Sequence, residues 1–193
     1  MSRVGLGVAA AIVTAAVSGV AAGAPAPGTK ANPAPLRTTV PIYEAGSYVD
    51  KTVPPKSTGW SIRVNSVTLN ANTIVHDQNQ FNDPPRAGRQ YVLVNITATH
   101  TAKKTTDDLV TLNMDFVSAS HRVYKRINFE DNCADIPDPL TGDTSKETYR
   151  PGQVLTGNIC YQVRKADISS VILTVTKWED LAYVTVLHFF KLR

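Results

Sequence analysis

Tyr91-Val92-Leu93-Val94-Asn95-Ile96-Thr97-Ala98-Thr99 decides the fold. Val92, Val94, Ile96 and Ala98 alternate with Asn95, Thr97 and Thr99, so an extended chain turns one face to a core and the other to water. Before it, Trp60, Ile62 and Val64 keep the same two-residue interval. Val67 and Leu69 follow one position out of phase, which places a β-bulge near Asn65-Ser66. After it, Met114 to Val117, His121 to Ile127, Leu155 to Val163, Val171 to Thr176 and Ala182 to Phe190 are each of strand length. They are rich in β-branched or aromatic residues and separated by Gly, Pro, Asp or Ser. About seven strands result. No stretch sustains a helical period over three turns behind a cap, although Lys165 to Ser170 has room for one short turn. A parallel sheet needs crossover helices, so the expected fold is all-β, an antiparallel sandwich of two layers.

The rest of the chain sets the context. Arg3 is followed by the uncharged Val4 to Val20, and Val20-Ala21-Ala22 offers small residues to a signal peptidase. Residues 1–22 are therefore expected to be a removable export signal cut between Ala22 and Gly23; a cut after Ala24 would meet the rigid Pro25. The Ala and Gly content of this run argues against an uncleaved membrane anchor, and no cysteine lies at the boundary to carry a lipid. Residues 23–57 contain Pro25, Pro27, Pro33, Pro35, Pro41, Pro54 and Pro55. They read as a flexible tether suited to crossing a cell wall, with Thr39 to Tyr43 as a candidate edge strand. Residues 58–193 remain as one domain of roughly 135 residues.

Composition excludes several classes. Of the 193 residues, 42% are hydrophobic and 19% charged, which rules out a disordered chain. A formal charge of +4, with basic residues scattered among acids, is too mild for a nucleic-acid partner. Lys103-Lys104 and Arg122 to Arg126 lack the aromatic interleaving of a single-strand binder. Two cysteines behind an export signal enter an oxidising compartment, where Cys133 and Cys160 are expected to form one disulfide. Cys160 has the opposite parity to Ile159, Tyr161 and Val163, so the bridge should staple the long loop before it to the outside of the sandwich.

Four segments together resemble a known family: Trp60-Ser61-Ile62-Arg63-Val64, Ala87 to Val94, the Asp115 to Tyr124 hairpin, and Arg150 to Gly157. Their order and spacing are similar to the telokin-like domain of unknown function of secreted Gram-positive proteins, which sits beside mycobacterial extracellular immunoprotective proteins. The resemblance spans residues 58–190 and implies an immunoglobulin-like sandwich. Its motifs, a glycine before one strand and Pro151-Gly152 before another, are turn chemistry and bring no catalytic residues. Two departures stand out: His100 where the family usually has Asn after the strand, and the long loop from Asp131 to Lys146.

The chemistry candidates are sparse. His76, His100, His121 and His188 show no metal-ligand spacing, and there is no Cys-x-x-Cys pair. The chain has neither a Gly-x-Ser-x-Gly elbow nor a phosphate-cradling Gly-rich loop. The expected function is an exported, non-enzymatic immunoglobulin-like module with no cofactor, extracellular or wall-associated, binding a protein or cell-envelope partner. Two rivals stay open. One is a secreted hydrolase whose His76, His100 or His121 meets a serine and a carboxylate only in three dimensions. The other is a calcium-stabilised surface loop using Asp131, Asp135, Asp138 and Asp143.

Overall fold

The computed structural model describes residues 25–43, 57–103, 112–125, 133, 135–140, 149–177 and 188–193. Its strands are β1 (Thr39–Tyr43), β2 (Ser57–Thr68), β3 (Arg89–His100), β4 (Leu112–Val117), β5 (Val123–Lys125), β6 (Val154–Arg164), β7 (Ile172–Lys177) and β8 (His188–Phe190). One helix, α1 (Asn72–Gln78), lies between β2 and β3. Two antiparallel sheets of four strands form the sandwich, in the orders β1-β2-β3-β6 and β5-β4-β7-β8. In immunoglobulin letters β2-β3-β6 run as A-B-E and β5-β4-β7-β8 as C′-C-F-G, with β1 added beside A. The expected sandwich is the one found.

Alternation explains the layers. Val92, Val94, Ile96 and Ala98 of β3 are fully buried against Trp60, Ile62 and Val64 of β2 and against Met114, Phe116, Leu173 and Val175 of the facing sheet. The register of β2 on β3 shifts between Val64 and Ser66, where the phase change in the sequence puts a bulge. Phe116 and Tyr161 stack across the sandwich with ring centroids 4.1 Å apart, and the Tyr161 hydroxyl donates to the Met114 carbonyl. A buried phenol thus keeps its hydrogen bond while its ring fills the core.

One expectation needs correction. The helix α1 was not anticipated, although it falls short of the three turns the sequence excludes, and residues 165–170 form turns, as the sequence allows. At seven residues, with Val75 its one buried side chain and no side-chain cap, α1 is too short to show a period and depends on tertiary contacts. The stretch assigned to a tether is instead part of the sandwich from Pro25 to Tyr43, so the domain does not begin at residue 58. The Ala34 N–H donates to the Phe189 carbonyl (2.8 Å) and the Lys191 N–H to the Ala34 carbonyl (2.8 Å), lacing the segment along the edge of β8. It then crosses to the other sheet, where β1 pairs with β2 from Thr39↔Arg63 to Tyr43↔Ser57. Ala34, Val40 and Ile42 are buried. The prolines misled because they remove donors only where none is needed: Pro33 and Pro35 flank the bonded Ala34, and Pro41 sits on an edge strand. Residues 44–56, like 1–24 with the Ala22-Gly23 cleavage site, lie outside the described residues.

Candidate functional site

The face of β3 turned away from the main core carries Tyr91 and Leu93, and β6 brings Cys160 beside Leu93. On a bare sheet these side chains would meet water. Here Ala71 and Val75 of the α1 region and Cys133 cover them, forming a second, smaller core. Cys133 and Cys160 are joined as a disulfide, with Cα atoms 5.6 Å apart, and both residues are 4% exposed. The bridge lies outside the main core, as the parity of β6 predicts, yet it is buried beneath a cap.

Hydrogen bonds hold this cap together. Asn82, 7% exposed, donates through Nδ2 to the Val75 and Asp135 carbonyls (2.7 Å each) and accepts the Asp135 N–H at Oδ1 (3.0 Å). Asn79 Nδ2 donates to the Asp135 carboxylate (2.7 Å), and its Oδ1 accepts the Phe81 N–H (3.0 Å). The α1 helix, the turn after it and the loop at residue 135 are thereby clamped to one another. Asn72 Oδ1 accepts the Tyr91 N–H (2.8 Å), tying the start of α1 to β3. On its far side, residues 137–140 lie along β6: the Leu140 N–H donates to the Asn158 carbonyl (2.8 Å) and the Asn158 N–H to the Asp138 carbonyl (2.7 Å). Gly157 permits this approach, because a Cβ there would come within 2.6 Å of Leu140 backbone atoms.

Between α1 and the turn lies a cleft of about 530 Å³, lined among others by Asn72, Thr73, His76, Gln80, Asp83 and Tyr91. Pro84 and Pro85 form part of its wall. Tyr91 donates its hydroxyl to the Asp83 carbonyl (2.7 Å). Burial, and then the negative Asp83, push the Tyr91 phenol above its ordinary pKa, so it stays a donor. Phe81, between the lining residues Gln80 and Asn82, is 84% exposed. Ile74, beside the lining Thr73, is 42% exposed. Neither the helix nor this cleft has a signal in the sequence beyond Pro84-Pro85, which marks a turn.

The other candidate residues are dispersed. His76 lines the cleft, but no hydrogen bond joins it to Thr73 or Asp83 among the described residues. His100 is fully buried, packs on Trp60 with ring centroids 5.0 Å apart, and bonds through Nδ1 to the Arg150 carbonyl (3.1 Å). The end of β3 therefore carries a core aromatic. His121 occupies the β4–β5 turn with φ of 60°, and His188 is buried on β8. On the turn after β6, which meets the start of β3 through the Lys165 N–H to Gly88 carbonyl bond (2.9 Å), the Asp167 carboxylate accepts from Ser120 Oγ (3.1 Å) and the Tyr124 hydroxyl, with Arg122 Nε 3.8 Å away. That cluster pins the hairpin to the β6–β7 turn, since the Ala119 N–H also donates to Ser170 Oγ (3.1 Å). Burial first, and the bond to Asp167 second, push the Tyr124 phenol up to about 12. Of the four loop aspartates, Asp131 and Asp143 lie outside the described residues. Asp135 is engaged by Asn79, and Asp138 holds a φ of 42° while its carbonyl takes the Asn158 N–H. Among the described residues no group of three His, Cys, Asp or Glu is placed to hold a metal.

No family model matches the chain. No curated protein matches it either. Among solved structures it is similar, at 11% identity in each case, to three bacterial proteins. The first is a conserved hypothetical protein from Bacillus anthracis, with a TM-score of 0.40 over 79% of this chain and 97% of that one. A functionally unknown protein from Listeria monocytogenes gives 0.44 over 70% and 79%. An uncharacterized β-sandwich protein from Clostridium difficile gives 0.39 over 70% and 87%.

Proposed function

We propose that the chain is an exported, non-enzymatic immunoglobulin-like module of the telokin-like kind, and that it binds a cell-envelope partner through the cap over β3 and β6. The observation that carries this is Phe81, left 84% exposed on a turn whose neighbours Asn79 and Asn82 are both clamped. A phenylalanine in water forgoes about 1.5–3 kcal/mol of burial. Clamping the turn also fixes the backbone that carries the ring, which suits a ring meant for a partner. Two of the four large hydrophobic residues exposed among the described residues, Ile74 and Phe81, lie on this one cap. Export is supported by the Arg3 to Ala22 leader and by the disulfide, and no described helix is long and apolar enough to cross a membrane.

Co-sedimentation of the protein with washed Gram-positive envelopes tests this reading. Saturable pelleting that is lost in Phe81→Ala but kept in Val123→Ala, an exposed control on β5, is the expected result. Equal behaviour of the two variants would sink the assignment to the cap.

A further inference from the structure

Resting on that reading, we infer that the cap takes a neutral, polyhydroxylated ligand, a sugar unit of an envelope polysaccharide, seated in the cleft with one ring face against Phe81. The chemistry of the lining selects this class. Asn72 and Gln80 contribute carboxamides, Thr73 a hydroxyl and Asp83 a carboxylate, all groups that exchange hydrogen bonds with hydroxyls. Two of them keep free capacity by construction. Asn72 spends its Oδ1 on the Tyr91 N–H, and its Nδ2 is a separate pair of donors. Asp83 gives Tyr91 its backbone carbonyl, leaving the side-chain carboxylate for other bonds.

Charge narrows the choice further. No Lys or Arg lines the cleft among the described residues, whereas Asp83 does. An anionic ligand such as a phosphate-bearing polymer or a lipid phosphate would meet a like charge with no Lys or Arg to offset it, His76 being the imidazole in the lining. Dimensions disfavour a folded protein: a concave site of about 530 Å³ is of small-ligand size, while a stable protein interface spreads over about 800 Å² on each partner. Sugar rings combine an apolar C–H face with equatorial hydroxyls, and Phe81, exposed between the lining residues Gln80 and Asn82, offers the apolar half of that recognition next to a polar lining. The cap is also preorganised by the Asn82 clamp and the disulfide, so little ordering entropy opposes binding.

The test uses the chain recovered from the medium of an expressing host with its disulfide oxidised. Its ¹H–¹⁵N spectrum is titrated with oligomers of N-acetylglucosamine, glucose, arabinose and mannose to about 10 mM, a range that captures even weak binding. Shifts confined to residues 72–86 and 91 for at least one oligomer are expected. Phe81→Ala should then weaken binding at least about tenfold, Phe81→Trp should restore it, and Asp83→Asn should weaken it while leaving the spectrum otherwise unchanged. Silence across all four sugars overturns the ligand class. If envelope pelleting still depends on Phe81 in that case, the cap survives as a binding site with a different ligand. Shifts elsewhere on the fold, or shifts indifferent to Phe81, overturn the proposed seat.

Discussion

Removing the disulfide as Cys133→Ala together with Cys160→Ala separates two roles of the bridge. Closing a loop with a sequence separation of 27 restricts the unfolded chain by about 3.5 kcal/mol at 25 °C in the chain-entropy model. Both sulfurs are also buried in the small core with Tyr91, Leu93 and Val75, so truncation leaves a cavity and the expected total is about 3–5 kcal/mol. For a chain of this size that lowers Tm by about 7–14 °C. Urea melts of the oxidised parent and the double variant give the stability difference, and limited proteolysis reports on the cap. In the folded variant residues 133–140 keep the bonds from Asn82, Asn79 and Asn158 but lose their covalent anchor, so cleavage there should rise at least several-fold under native conditions. A stability loss below about 1 kcal/mol would refute the loop-closure argument. A full loss with unchanged cleavage would show that the bridge acts on the unfolded chain alone and that the hydrogen bonds suffice to hold the cap.

Three further outcomes are expected. Gly157→Ala pushes a methyl to within 2.6 Å of the Leu140 backbone, so the 137–140 segment must lift from β6; urea denaturation should show a loss of about 1–3 kcal/mol, with protease cutting near residue 140. A chain starting at residue 44 loses the buried Val40 and Ile42 and uncovers the edges of β2 and β8; it should lose at least about 3–6 kcal/mol and aggregate on size-exclusion chromatography. Tyr124 is pushed up to about 12 by burial and by Asp167, above the unfolded value near 10, so the stability it lends is complete below pH 10 and disappears as pH rises through 12. Tyr124→Phe should flatten the alkaline melting profile in that window, and an unchanged slope would count against the assignment.

What could be read in the sequence follows from periodicity. Val94 to Thr99 alternate apolar with polar residues, and the phase slip after Val64 is a one-residue event, so strands and bulge were visible to a period of two. The parity of Cys160 announced which face the bridge occupies, because side-chain direction in a strand is fixed by counting. The cap was not visible. Its helix has two turns and one buried residue, and its clamp joins Asn82 to Asp135 across a separation of 53, with nothing local to mark either residue. Nor does Phe81 reveal its exposure by neighbours: in the sequence it is an isolated aromatic that a core would welcome.

The packed N-terminal segment bears on the proposed export. A tether of residues 23–57 would let the domain search a volume tens of ångströms across. In the structure Pro25 is already tied, its carbonyl accepting from Asn32 Nδ2 (2.8 Å), and Gly28 bonds to Phe189 (2.9 Å). The proposed cleavage after Ala22 would leave Gly23 and Ala24 ahead of Pro25. Under the proposed export, a module released this way would diffuse freely and would meet an envelope partner through its own surface. Were the leader retained, the same two residues would hold the domain against the membrane. Intact mass of the protein from medium and from cells distinguishes these two cases: a chain starting at Gly23 in the medium supports the free module, and one retaining Met1 in the membrane fraction refutes it.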